Sequence, residues 1–168
     1  MCGEKYPTFD GDVLALYPTA DFQASQGALI AYNLFGWRNE TLARFTTRAG
    51  QRAYLYQFAH VPPAMTGAFH TSEIPYVFGN LGEHFYSANM AVGAMRAEDQ
   101  RLSETMMNYW VSFARTAGDP KAMAGWTPYS ESRQDYMSFA AGEAQPSRNL
   151  SPGSWTVFER INAARRSQ

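Results

Sequence analysis

The run Tyr54-Leu55-Tyr56-Gln57-Phe58, within the aromatic-rich stretch from Arg52 to His60, constrains this chain more than any other feature. Tyr54, Tyr56 and Phe58 alternate with the period of a strand, and with Leu55 the segment reads as apolar on both faces. Such a strand belongs inside a sheet, covered on each side. Val61-Pro62-Pro63 ends it, because proline has no N–H to give to a ladder. The chain then runs through Gly67 to His70, which places a histidine on a loop soon after a buried strand, where reactive groups are commonly displayed. Without such a sheet around it the strand would expose edges and apolar surface, and a chain carrying it alone is expected to aggregate, oligomerise or fold marginally.

Residues 1–22 mix Gly, Pro, Asp and aromatics around Val13-Leu14-Ala15-Leu16-Tyr17 and predict a loop with a short helical turn. From Ala24 to Ala49 the pattern is helical, with Leu29, Asn33, Trp37, Leu42 and Phe45 near one face and Gly50 as the stop. Gly36 inside it predicts a break into two helices. The clearest helix runs from Glu98 to Ala117, where Leu102, Met106, Tyr109, Trp110 and Phe113 recur at spacings of three and four before Gly118-Asp119-Pro120. Beyond the turn-rich Trp126-Thr127-Pro128-Tyr129, the run from Tyr136 to Phe139 predicts an edge strand. Trp155 to Arg165 predicts a terminal helix with Trp155, Phe158 and Ile161 inward.

The 168 residues, 45% hydrophobic and 15% aromatic, are enough for a sizeable core and argue against disorder. The 14 basic and 15 acidic side chains nearly cancel, and no basic stripe interleaved with aromatics could follow a phosphate backbone, so nucleic acid is not expected as a partner. The single Cys2 cannot form an internal disulfide, and no Cys/His cluster has zinc-ligand spacing, so no metal is expected. Met1 to Asp12 lacks the charged start and apolar stretch of a secretory signal, and no later run approaches a membrane span. A signal at the start of a longer parent would lie outside this sequence, so the compartment is not set.

The stretch from Gly67 to Leu81, Gly-Ala-Phe-His-Thr-Ser-Glu-Ile-Pro-Tyr-Val-Phe-Gly-Asn-Leu, closely resembles the histidine motif of type-B carboxylesterases, the family that includes bacterial nitrobenzyl esterases and cholinesterases. The resemblance extends upstream through Phe35-Gly36-Trp37, Ala43-Arg44 and the strand at Tyr54 to Phe58. Downstream it continues through Leu102-Ser103, the run from Asn108 to Arg115, Gly118-Asp119-Pro120, Trp126 to Tyr129 and Met137-Ser138-Phe139. Asn33, where the family often has Asp, and Thr71-Ser72 after the histidine are small departures. The resemblance implies an α/β chain: residues 1–168 as the C-terminal segment of an α/β-hydrolase domain, an incomplete central sheet with packed helices. It also implies an enzyme that hydrolyses small carboxylic esters without a cofactor.

In that fold the catalytic order is Ser, acid, His, and the resemblance assigns only the last member here, His70. No Gly-x-Ser-x-Gly occurs; Ser154 after Gly153 lacks the second glycine, and the glycine run of the oxyanion hole is missing. The family's acidic member lies upstream of this chain, so Asp10, Asp12 and Asp21 do not match it. The expected partner is therefore the missing N-terminal esterase portion. By the same resemblance Glu73 is a buried hydrogen-bonding residue beneath the histidine rather than its orienting acid. Imidazole, with an ordinary pKa of about 6.5, can take a serine proton and return it to the leaving alcohol. His60 and His84 lack this context and are expected to be structural or surface residues, and Phe69, Phe78 and Met90 are expected to be core rather than pocket. Two other readings stand beside the fragment: a non-catalytic esterase-like interaction domain, and an independent protein pairing His70 with Ser72 or Ser87.

Overall fold

The computed structural model describes residues 9–81 and 95–167; Cys2, His84, Ser87 and Met90 lie outside them. In chain order come α1 (Asp10–Leu16), α2 (Phe22–Ala31), α3 (Trp37–Arg48), β1 (Tyr56–Phe58) and α4 (Ile74–Phe78). Then follow α5 (Ala97–Thr116), β2 (Asp135–Ala140), β3 (Glu143–Arg148) and α6 (Ser154–Arg166). Two compact units result, Met1–Gln51 with Asn149–Gln168, and Arg52–Arg148.

In the first unit the helices are held by a small apolar cluster. Val13 of α1 and Ile161 of α6 are buried together, with Phe9, Tyr17, Leu29 and Val157 packed around them. The expected break at Gly36 is not a break. A π-helical turn, Tyr32–Gly36, joins α2 to α3, and the glycine serves a close approach: a Cβ there would lie 2.5 Å from the Tyr32 ring. That ring meets Phe158 edge-on with centroids 5.4 Å apart.

The inward face of α3 is also a correction. Leu42 and Phe45 are 65% and 61% exposed, whereas Glu40, Ala43 and Arg44 are buried. Glu40 accepts from Arg44 and from the Tyr32 hydroxyl, each at 2.8 Å, and the Arg44 guanidinium lies 3.9 Å above the Trp155 ring. A charge pair whose carboxylate takes two donors and whose cation has an aromatic face can be buried, and it then dictates which side of the helix turns inward. Burial, reinforced by the Glu40 carboxylate, pushes the Tyr32 hydroxyl above its ordinary range, so it stays a donor.

The second unit is a three-stranded mixed sheet in the order β1-β2-β3. β1 runs parallel to β2, Tyr56 opposite Met137 and Phe58 opposite Phe139. A parallel pair requires a long crossover, and here α4 and α5 lie within it. β2 and β3 form an antiparallel hairpin with Ala140 opposite Glu143. Its two turn residues, Ala141 and Gly142, both have positive φ (49° and 77°), as the favoured two-residue hairpin turn demands. β2 is therefore central among the described strands, not an edge, and its burial alternates strictly residue by residue. β3 carries no strand signal in the sequence, because Glu-Ala-Gln-Pro-Ser-Arg has no apolar alternation; its proline fits an edge position.

Onto this sheet α5 lays Leu102 and Met106, fully buried with Tyr76, Met123, Trp126, Met137 and Phe139. Trp126 sits at the centre of an edge-to-face aromatic set with Tyr54, Tyr109 and Phe139 at 5.7, 5.3 and 5.7 Å. Helices on a mixed sheet give the expected α/β character. Among the described residues, β1 has a neighbour on one side only.

Two of the helical glycines of the first unit predict opposite outcomes. Gly36→Ala should lower unfolding free energy by about 1–3 kcal/mol, because the Tyr32 ring it strikes is held by its own hydrogen bond. Gly27→Ala in α2, with nothing within 4 Å, should raise it by up to about 1 kcal/mol. Denaturant unfolding measures both; equal effects would contradict the close-approach account.

Candidate active site

The His70 loop begins where β1 ends. The N–H groups of Ala59 and His60 both donate to the Phe139 carbonyl, at 2.8 and 2.9 Å, fixing the last point at which the chain belongs to the sheet. Pro62 and Pro63 are buried, and Met65 N–H closes a turn onto the Pro62 carbonyl at 3.1 Å. The chain then climbs to a second turn with His70 at its exposed tip. Ser72 N–H donates to Phe69 O at 3.0 Å, Phe69 N–H donates to Ser72 Oγ at 3.2 Å, and the Thr71 hydroxyl donates to the His70 carbonyl. Thr71 has φ 75°, left-handed backbone that costs a β-branched residue roughly 1–2 kcal/mol. That strain sits immediately beside the histidine.

Beneath the loop lies a polar cluster that the sequence reading did not assemble. Asp99, on the first turn of α5, has no solvent exposure. Its Oδ1 accepts from His60 Nε2 at 2.6 Å, the Tyr76 hydroxyl at 2.8 Å and Arg96 Nη2 at 3.1 Å. Its Oδ2 accepts from the Arg96 backbone N–H at 2.8 Å and from Arg96 Nε at 2.9 Å. Gly142 N–H donates to His60 Nδ1 at 3.1 Å, so the ring's proton belongs on Nε2, facing Asp99. Burial raises the Asp99 carboxyl, but the hydrogen bonds from Arg96, His60 and Tyr76 outweigh it and hold the group well below the usual carboxylate range. One signal was available: Asp99 precedes Leu102 by three and Met106 by seven, which puts a charge on the apolar stripe of α5.

The other expected residues fall as follows. His60 is fully buried at the base of the loop. Glu73 is half-buried and caps α4 through its backbone, its carbonyl accepting from Tyr76 and Val77 at 3.0 Å. With Tyr56, Ile74, Val77, Phe78, Met107, Trp110, Val111 and Ala114 it lines an open groove of about 590 Å³. Phe78, expected in the core, is 73% exposed on the rim of that groove, because the short α4 turns its apolar end away from the sheet. Phe69 is half-buried. Ser72 is sealed inside its own turn with no exposure, an unfit position for a nucleophile. Ser154 is buried and bonded to the Tyr17 hydroxyl at 2.9 Å. Asp12 pairs with Arg160 at 2.9 Å, and Asp21 caps α2 by accepting from Ala24 N–H at 3.2 Å. No group of three or more His, Cys, Asp or Glu side chains among the described residues could hold a metal ion. None of the described helices is long and apolar enough to cross a membrane.

The depressed Asp99 carboxyl ties stability to pH. A carboxyl lowered on folding stabilises the native state fully above its unfolded value of about 3.9 and loses that contribution as pH falls towards the folded value. Unfolding free energy should therefore drop steeply below about pH 5, and the Asp99→Asn curve should be flatter over that interval. Denaturant titrations at pH 7, 5, 4 and 3 measure this; parallel curves for the two proteins would contradict it.

Comparison with known proteins agrees with the family resemblance. A family model described as the carboxylesterase family matches residues 19–155. Carboxylesterase 5A of Canis lupus familiaris is 38% identical over 102 residues, 55% of this chain and 17% of that protein. Carboxylesterase 3 of Homo sapiens is 29% identical over 140 residues, 78% of this chain and 21% of that protein. Among solved structures, a PNB esterase superposes with a TM-score of 0.51 at 26% identity, over 64% of this chain and 21% of its own. The chain thus spans about a fifth of the length of these relatives. With the family match covering most of its length, the chain belongs to the type-B carboxylesterase family, and its mixed sheet with packed helices is part of an α/β-hydrolase fold.

Proposed function

We propose that this chain supplies the catalytic histidine, His70, of a serine carboxylesterase acting on small carboxylic esters, and that the serine, the acid and the oxyanion donors come from esterase sequence outside it. The observation that carries this reading is the placement of His70: an exposed imidazole at the tip of a hydrogen-bonded turn, inside the family's histidine motif. His60, by contrast, is consumed by structural bonds.

In the first half of the reaction His70 takes the proton from the serine hydroxyl as its oxygen bonds to the ester carbonyl carbon. The tetrahedral intermediate collapses, the bond to the leaving alcohol breaks, and the His70 proton goes to that oxygen. Water repeats the sequence on the acyl-enzyme, with His70 again as base and then acid. Developing charge on the carbonyl oxygen needs backbone N–H donors from the partner segment. Two surfaces support docking of that segment: the side of β1 with no described neighbour, and the apolar groove rimmed by Phe78, Val77 and Trp110. Apolar side chains left open beside an unpaired edge suit a further layer of the same domain.

The test is hydrolysis of a short-chain chromogenic ester by the isolated chain, and by the chain joined to the upstream, serine-containing part of a family esterase. Turnover should appear only in the joined protein and should fall by at least about a thousandfold with His70→Ala. Turnover by the isolated chain that disappears with His70→Ala, or a joined protein indifferent to it, would overturn the reading.

A further inference from the structure

We propose that Asp99 is a positioning residue for His70: one buried carboxylate grips both ends of the excursion that carries the histidine, and so sets where the imidazole is presented. The proposal rests on the reading of His70 as the reacting base. The chain leaves the sheet at His60 and returns to the core at Tyr76. These two side chains meet on the same oxygen, His60 Nε2 at 2.6 Å and Tyr76 Oη at 2.8 Å from Asp99 Oδ1, with their rings 5.4 Å apart.

Everything between, residues 61–75 including the first residues of α4, is thereby an excursion closed at its base by a single acceptor. Arg96 completes the base: its Nη2 donates to the Val61 carbonyl at 2.8 Å, just past His60, while its Nε holds Asp99 Oδ2. On the return side, Ser103 Oγ donates to the Tyr76 carbonyl at 2.8 Å, so Tyr76 is tied to α5 at both its hydroxyl and its backbone. Asp99 and Ser103 are one helical turn apart on α5. A rigid 20-residue helix therefore fixes the base of the loop at two levels, and nearer His70 the Phe69–Ser72 turn adds ties within the loop itself. Holding a base in a near-attack position is worth orders of magnitude in rate, and a displacement of about 1 Å can cost about a hundredfold.

Tyr76→Phe removes one hydroxyl from Asp99 and leaves the packed ring, the His60 and Arg96 bonds and α5 in place. It is measured in this chain by amide hydrogen exchange and by the carbon-bound ring proton signals of His70. Exchange at Phe69 and Ser72 should accelerate about tenfold or more, with a shifted or broadened His70 signal, while exchange at Met106 in the core stays within about twofold. Asp99→Asn should loosen the same amides further. If it does not fold, Tyr76→Phe alone decides. Unchanged exchange at Phe69 and Ser72, or acceleration matched at Met106, overturns the proposal. Because the readout is loop order rather than turnover, the absence of hydrolysis in the joined esterase would remove the catalytic reading without altering this result.

Discussion

Asp99 is a carboxylate with no exposure, set on the apolar face of the longest helix, and most of the second unit is arranged to make that tolerable. Removing an ionised group from water costs several kcal/mol, and the cost is recovered only when its lone pairs are all engaged and an opposite charge is close. Arg96 brings the charge, and His60, Tyr76 and the Arg96 backbone supply the other donors. Each donor comes from a different place in the chain, so satisfying one residue fixes the end of β1, the start of α5 and the whole of α4. Gly142, in the β2–β3 turn, completes the set by donating to the far side of the His60 ring. The sheet, the crossover helices and the hairpin thus meet at one buried polar point, and the histidine loop rises from it.

Much of this was legible in the residues. The stripe of Leu102, Met106, Tyr109 and Trp110 is a direct output of helix periodicity, and α5 appears where it puts it. β1, by contrast, is confined to Tyr56–Phe58, leaves Tyr54 outside and is half-buried with Gln57 exposed rather than covered on both faces. His70 was marked by the motif around it. The misreadings share a physical cause: polar residues doing the work usually assigned to apolar ones. α3 turns inward through Glu40 and Arg44 because a paired charge with an aromatic lid can be buried, while Leu42 and Phe45 stay out. β3 pairs through its backbone and the Arg148–Asp135 ion pair rather than through apolar side chains, and without it β2 reads as an edge. The Asp99 cluster needs contacts between residues up to 82 positions apart, as from Gly142 to His60, and no local pattern reports them.

The family assignment and the geometry bear on different levels of the account. Membership of the carboxylesterase family sets the kind of chemistry to expect, and the proposed role of His70, on its exposed turn, would give that chemistry a place in this chain. The chain spans about a fifth of the relatives' length, and the partners of His70 are accordingly proposed to lie in esterase sequence outside it. The apolar groove beside β1 is a surface with a cost in water unless something covers it.

The most direct measurement of the central claim is labelling of an upstream serine-bearing esterase half with a fluorophosphonate probe, which reacts only with an activated serine, with and without this chain added as a separate protein. The account predicts labelling that rises and saturates with the added chain and is absent when the added chain carries His70→Ala. Labelling of equal extent with wild-type chain, with the His70→Ala chain and with no chain would contradict it.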